Sequence, residues 1–401
     1  MSLNINTAHS QPKMIVKLAI VLMISCIGQV TSDLYLPSLP AMSEDLSVST
    51  TAIQLTIAIY MIGFCLSQLV YGPLSDGIGR RKPILFGLGL SIVGSITCSV
   101  SYNIWLVYLG RFLQGLGVGC GTALGRSILR DLFSGEMLAK YNSYLAMASI
   151  VILAIAPILG GYIETYLGWR FNFIFLFFYG LATLLLFYYK VDETNKHIHP
   201  ENLSITTLKK NFLLVLTNRS FIKFSLCPLL TYAGILAWLT AAPIILQTTI
   251  GLTPIEFGYI YLFSGIGFVI GGFINAKLVV SKGLPTMMLF GFALQFIAGC
   301  LMFLSYYFDV LNTLVIIGPV MFYMMGSSMV FPNASSGALK DFPHIAGLAA
   351  VILGFMQILG GAISSNIFAL VHQDNQLPMS IAFMITSCLG VLLFKCTKLK
   401  D

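Results

Sequence analysis

The sequence predicts an all-α membrane protein with twelve transmembrane helices in two pseudo-symmetric six-helix bundles and both termini on the cytoplasmic side. Three observations predict it. Hydrophobic residues make up 57% of the chain and charged ones only 9%, with a mean hydropathy of +0.89, a balance that would not keep a globular domain dissolved. The apolar residues gather into about a dozen segments, roughly 15–37, 50–71, 83–101, 104–125, 139–163, 168–189, 220–247, 255–279, 284–305, 310–336, 346–371 and 378–395. Each is near the ~20 residues a helix needs to cross a bilayer. The third observation is where the bases lie. With a cytoplasmic N-terminus, twenty of the 22 Lys and Arg fall in or beside cytoplasmic segments, Arg170 alone falls outside, and Arg111 alone lies within a span. Such asymmetry sets helix orientation. The net charge of +7 therefore reads as a topology code, with contact to anionic lipid as a further consequence, and not as a nucleic-acid patch.

The one long polar connection divides the chain into a cytoplasmic segment 1–14, an N-terminal bundle 15–189, a central cytoplasmic loop 190–219, a C-terminal bundle 220–395 and a tail 396–401. The first twelve residues are polar and lack a signal-peptide pattern. The eight cysteines have no paired spacing and read as small hydrophobes. None of His9, His197, His199, His344 and His372 falls inside a predicted span, so neither a metal site nor an intramembrane histidine relay is expected. No nucleophile, base and metal ligands converge as an enzyme would require, and no filter-like repeat suits a channel. A receptor that moves nothing stays open as a further alternative.

Taken in order, the first span ends in TSDLYLPSLP, Thr31 to Pro40, where Asp33 is the one acid placed within a span. A carboxylate there is costly and by default marks a functional site; the alternative is an acid reaching interfacial water. The second span carries Gln54, Tyr60 and Gln68 and leads into GPLSDGIGRRKPILFG, Gly72 to Gly87. This polar island is expected just outside the membrane, with Asp76, Gly77 and Gly79 as turn residues and Arg80, Arg81 and Lys82 marking the cytoplasmic side. On its charges alone it is also a plain helix–helix turn.

The ordering G-x-L-S-D-x-x-G-R-R-K-x-x-L resembles the signature loop between helices 2 and 3 of the major facilitator superfamily of secondary transporters. That resemblance implies that Gly72 admits a neighbouring helix closely and that Asp76 and Arg80, with Gly79, Arg81, Arg130 and Asp131, form a charge cluster locking the cytoplasmic side. Leu109 to Asp131, LGRFLQGLGVGCGTALGRSILRD, puts Arg111 in an apolar run with Gln114 on the same face. Arginine stays charged, so it needs a carboxylate, carbonyls or water; snorkelling is the alternative. Arg111, Gln114 and Gly115 match the family's helix-4 pattern R-x-x-Q-G, implicated in proton transfer. APILGGYIE, Ala156 to Glu164, resembles the family's helix-5 antiporter motif at Pro157, Gly160 and Gly161. It departs from that motif at Ala156 and in lacking an upstream glycine. A kinked helix with a small-residue face accounts for the same residues.

Trp169 suits an interface, and Arg170 is a partner for Glu164 or a solvated charge. The second half repeats the hydropathy plan, with no buried charge expected and only an attenuated signature loop, Gly272 to Gly291. Its polar groups are Tyr232, Trp238, Tyr259, Tyr261, Tyr323, Asn333, Gln357 and Asn366. FPNASSGALKDFPHIAG, Phe331 to Gly347, and SDLYLPSLP resemble the Bcr/CflA drug-resistance transporters within the superfamily. The resemblance implies a drug:proton antiporter of the bacterial inner membrane, needing no cofactor beyond a proton gradient and working as a monomer on small molecules. In that fold helices 1 and 4 line the central cavity. Asp33 and Arg111 are therefore the proton-coupling candidates, expected to approach each other, since burial opposes ionisation of a carboxyl and a nearby arginine favours it. Candidate substrate contacts are Gln29, Tyr35, Gln54, Tyr60, Gln114, Tyr232, Trp238, Tyr259, Tyr323 and Gln357. Broad export of lipophilic or cationic compounds and export of one endogenous product, such as a siderophore, sugar or peptide-like molecule, both fit.

Overall fold

A computed structural model describes residues 11–195, 198, 205–342, 345–371 and 374–396. Apart from short connections the chain is helical. The first half contains α1 (Gln11–Asp33), α2 (Leu39–Asp45), α3 (Thr50–Ile78), α4 (Arg81–Ser99), α5 (Ile104–Leu132), α6 (Gly135–Leu167) and α7 (Trp169–Lys190). After α8 (Ile205–Thr217) the second half contains α9 (Arg219–Pro243), α10 (Pro254–Lys282), α11 (Leu284–Tyr307), α12 (Thr313–Leu339), α13 (Ala346–Leu370) and α14 (Leu377–Cys396). Among the described residues eleven stretches are long and apolar enough to cross a membrane. α5 makes the twelfth by its 29 residues. Its hydropathy is diluted by six glycines and by Arg111 and Gln114, because α5 packs against α1, α3 and α4 and faces little lipid.

The halves repeat one pattern of neighbours. α5 is the hub of the first, packed on α1, α3 and α4, and α12 is the hub of the second, packed on α9, α10 and α11. Small residues make this close approach possible. A Cβ on Gly110 would meet the Gly94 carbonyl, and in the equivalent place one on Gly291 would meet the Gly326 carbonyl. The halves join along two seams, α3 against α13 and α6 against α10, which are exchanged by the same pseudo-symmetry.

Two expectations need correction here. The island from Gly72 to Gly87 is hardly a loop. α3 runs 29 residues to Ile78 and α4 starts at Arg81, so only Gly79 and Arg80 separate them. At 1.5 Å per residue α3 is roughly 43 Å long, longer than the ~30 Å hydrocarbon core, and it carries Ser75 and Asp76 out of the bilayer still helical. Gly79 turns the chain at φ +91°, and Gly283 does the same between α10 and α11 at φ +79°, a backbone region that favours glycine. The central connection, expected as a loop over 190–219, contains α8. A third correction concerns charge in the second half: Lys223 on α9 is only 5% exposed, its ammonium 4.4 Å from the centre of the Phe394 ring.

Candidate functional site

α1 ends at Asp33, after which Leu36–Ser38 forms a single 3-10 turn around Pro37 before α2 resumes. The missing amide of Pro37 and its ring make an unbroken helix unfavourable there. The break sets Asp33 and Tyr35 side by side at the middle of the first half, and both are buried. Asp33 Oδ2 accepts from Gln29 Nε2 at 3.2 Å.

Arg111 of α5 is fully buried in the same cluster. Its guanidinium lies between two rings, 4.0 Å from the centre of Tyr35 and 4.2 Å from that of Tyr60, an arrangement worth about 2 kcal/mol or more where water is excluded. Its Nη1 donates to the Thr31 carbonyl at 3.0 Å and to Gln114 Oε1 at 2.8 Å. Gln114 Nε2 passes the chain on to Ser95 Oγ of α4, also at 2.8 Å. Tyr60 is fixed by its hydroxyl, which donates to the Gly28 carbonyl at 2.6 Å, and Tyr35 by Thr56 at 3.2 Å. The structure thus gathers the two charges in one buried cluster, with no direct ion pair between them among the described residues. The hydrogen-bond partners of Arg111 are neutral, and Asp33 lies within electrostatic reach of it and of Tyr60, Tyr232 and Tyr261.

From the second half Trp238 is buried and stacks on Tyr261, ring centres 6.2 Å apart and planes 18° from parallel. Trp238 Nε1 and Arg111 Nε and Nη2 are buried donors without a protein acceptor, the kind of group a polar ligand atom satisfies. Tyr232, half-buried on α9, completes the aromatic side facing Asp33. Tyr261 was legible only as one of several polar side chains. Gln54 Nε2 crosses between the halves to the Thr240 carbonyl at 2.8 Å. Two expected cavity residues fall elsewhere. Tyr259 is 47% exposed and bonds Tyr162 through their hydroxyls, because two helical positions turn it away from Tyr261. Tyr323 is locked inside the second bundle, donating to the Thr231 carbonyl at 3.0 Å and stacked on Phe383. Gln357 is half-buried on α13.

Contacts between halves close both ends over the cluster. At the end rich in bases, a Cβ on Gly72 would press on Val351 of α13, and Cys65 Sγ lies 3.8 Å from the Phe355 carbonyl. Behind this seam Arg80 reaches Asp76 at 2.5 Å, Ser75 at 2.6 Å and Asp131 at 3.2 Å. Arg81 donates to the Tyr188 carbonyl at 2.8 Å. Arg130 stays apart, exposed and near Ser127. At the far end Gly161 admits the Pro254 carbonyl and Gly258 sits against the Pro157 carbonyl, while Gly160 admits the Leu34 carbonyl within the first half. Of the helix-5 residues, Pro157 and Gly161 therefore form the far seam and Gly160 seats α1 against α6. Arg170 pairs with Asp45 at 2.8 Å and not with Glu164, which lies beside Ser38.

One contributor to the basic end was not legible in advance. Glu193 caps α4 from the central connection: its carboxylate accepts the amides of Arg80 at 2.8 Å, Arg81 at 3.0 Å and Asn195 at 2.9 Å. Partial burial pushes this carboxyl up, but the amides of Arg81, Asn195, Arg80 and Thr194 together outweigh it and hold it below the usual range. A depressed carboxyl stabilises the fold fully above its unfolded value, about 4.3, and loses that contribution as pH falls through the lower folded value. Glu193→Gln is therefore expected to lower the thermal midpoint at pH 7, with the gap to wild type closing as pH drops below about 4. A gap that stays constant over that range would show that charge at this cap is irrelevant.

Among the described residues no group of three His, Cys, Asp or Glu side chains could hold a metal; all five histidines lie outside the described residues.

Comparison with known proteins follows the same architecture. The chain superposes on the D-xylose–proton symporter with a TM-score of 0.79 over 96% of this chain and 98% of that one, at 16% identity. It is 30% identical to an MFS-type transporter of Bacillus subtilis, covering 93% of this chain and 92% of that protein. It is 29% identical to the bicyclomycin resistance protein homolog of Haemophilus influenzae, over 90% and 89% of the two chains. With multidrug resistance protein D of Escherichia coli it shares 26% identity over 94% of each. These relatives carry the Bcr/CflA likeness read in the sequence, and they make the chain a transport protein and not an enzyme. The profile of the Major Facilitator Superfamily matches residues 18–365, and the chain belongs to that family.

Proposed function

We propose that this transporter exports small lipophilic or cationic compounds across the bacterial inner membrane in exchange for protons, by alternating access, with Asp33 as the group that carries the proton. The observation that carries this reading is the burial of Asp33, 2% exposed, against aromatic side chains of both halves. The names of two relatives, which speak of bicyclomycin and multidrug resistance, favour drugs over a single metabolite. Positive-inside placement puts the basic end in the cytoplasm.

The chemistry follows from competition for one carboxylate. Ionised, Asp33 attracts a cationic or polar compound toward Tyr60, Tyr232, Tyr261 and Trp238, whose rings supply area and quadrupole attraction for a cation. A proton arriving from the far side neutralises Asp33 and releases the compound there. Arg111 keeps its charge throughout and ties α1 to α5 through the Thr31 carbonyl, so the halves rock as bodies. The α3–α13 and α6–α10 seams open in alternation.

Asp33→Asn keeps the size of the side chain and removes its proton chemistry. Reconstituted in vesicles, the variant is expected to lose uphill export driven by a proton gradient while retaining downhill counterflow of labelled compound. Undiminished uphill export would sink the proposal.

A further inference from the structure

We propose that Glu164 is a second proton-binding site, whose proton closes the far seam and returns to the side it came from. Glu164 follows Gly160 by four residues and Gly161 by three, so it stands one turn further out on the same face of α6. Gly160 seats the Leu34 carbonyl, and Gly161 meets Pro254 of the second half. The half-buried carboxyl therefore lies where α6 turns from its contact with the first half to its seam with α10.

The hydrogen bonds around it are one hydrogen short. Asn172 of α7 is fully buried, and its Nδ2 uses both hydrogens, on Ser38 Oγ at 2.7 Å and on the Gly160 carbonyl at 3.3 Å. The second bond fixes the amide, because the opposite orientation would set its oxygen against that carbonyl. Ser38, fully buried on the 3-10 turn, accepts from Asn172 and has its own hydrogen left for the Glu164 carboxyl beside it. Two buried acceptors then have no donor, Asn172 Oδ1 and Glu164 Oε2. Oxygens left in this state are rare and costly. A proton on Glu164 supplies the missing donor and removes the buried charge, and unlike a larger ligand it needs no cavity.

The charged groups on the elements packed around this site are engaged elsewhere. Asp33 bonds Gln29, Arg111 lies between its two rings, Arg170 pairs with Asp45, Glu256 bonds Thr253, and Glu44 is exposed. Tyr162 and Tyr259 bond each other, and Tyr166 is exposed. Among the described residues Ser38 is thus the one side chain that bears on the Glu164 carboxyl.

Coupling to the seam follows from water. Ser38, Asn172 and Glu164 all belong to the first half, so the site moves as one body with it. When α6 parts from α10, water reaches Oε2 and solvates the ionised form; closure dries the site and holds the proton. Acid on the far side therefore biases the far end shut. The proton enters and leaves by that side, so it adds nothing to the charge transported. This role rests on the alternating seams proposed above but not on Asp33 as the carrier.

Infrared spectroscopy of the purified full chain at neutral pH reads neutral carboxyls by their carbonyl stretch. A band lost in Glu164→Gln and kept in Asp33→Asn is expected. Opening is read by deuterium uptake over segments 36–45 and 254–261, divided by the intrinsic exchange rate, from about pH 5 to 8. An Asp33→Asn background removes the titration of Asp33 from this measurement. One linked proton makes uptake rise by up to about tenfold per pH unit. Glu164→Gln, with an amide hydrogen in place of the proton, should stay at the acid limit at every pH, and Glu164→Asp, which keeps a titrating carboxyl, should restore a slope. Absence of the band would mean an ionised Glu164 met by water, and overturns the site. A slope that survives Glu164→Gln overturns its coupling to the seam. Undiminished uphill export by Asp33→Asn would remove Asp33 as carrier and leave both of these results unchanged.

Discussion

A disulfide between Gly72→Cys and Val351→Cys is expected to stop transport completely, and reduction is expected to restore it. A Cβ built on Gly72 stands 3.5 Å from the Val351 Cβ, within the ~3.5–4.5 Å that disulfides adopt. The replacement at 351 removes the valine methyl that a side chain at 72 would otherwise strike, so the reduced double variant is the proper reference and the Gly72→Cys single variant is not. Closure at this seam is part of every transport cycle in which the halves rock, and a covalent bond across it permits only one of the two openings. Transport of labelled compound into vesicles, before and after reductant, reads the result. Peptide mapping separates the designed bridge from one with Cys65, a buried thiol on the same helix. Full transport by quantitatively cross-linked protein would mean that α3 and α13 need not part, and the rocking scheme would fail.

The second large effect is expected at Arg111. Arg111→Lys keeps the charge but not the flat fork: an ammonium on a flexible stem cannot lie between Tyr35 and Tyr60 and also reach the Thr31 carbonyl and Gln114. Losing the double stacking and weakening two charge-assisted bonds is expected to cost about 2–3 kcal/mol, read as a shift in denaturant unfolding of the purified protein. Transport should fall to background, because the α1–α5 tie beside Asp33 is lost. Arg111→Gln should be as inactive, since it lacks the positive charge that faces Asp33. If Arg111→Lys matches wild type in both assays, the stacked geometry is incidental and only charge matters.

The number and order of the spanning helices were legible in the sequence because membrane burial writes itself as long apolar runs. Even α5, rich in glycine, was legible as the apolar segment 104–125. What hydropathy does not encode is the helix that leaves the bilayer without unwinding. The turn residues Asp76 and Gly77 suggested a loop, yet α3 continues through them because Arg80 returns to Asp76 from the helix end. α8 was missed for the opposite reason, being 13 residues long and partly polar, which reads as a connection.

The Asp33–Arg111 cluster was legible because buried charge is rare in a span, and its internal geometry was not. The two charges were expected to approach each other. The structure instead puts two tyrosine rings against the guanidinium, a contact that depends on the break at Pro37 delivering Tyr35 beside Arg111. In the same way Arg170 found Asp45 across 125 positions of chain and not its near neighbour Glu164, because the turn at Gly168, with φ +88°, swings α7 toward α2. Glu193 was hidden most thoroughly, since an acid in a polar connection carries no mark of the amides it will meet.

The solitary titratable carboxylate in the cluster has an electrical consequence. On the proposed cycle one monovalent cation leaves for each proton that enters, so no net charge crosses the membrane and the pump draws on the pH difference alone, blind to voltage. A neutral compound carried by the same carboxylate would export with one positive charge moving inward, adding about 2.3 kcal/mol of driving force per 100 mV. The charge state of the cargo, and not a second acidic side chain, then decides how steep a concentration ratio the protein can hold.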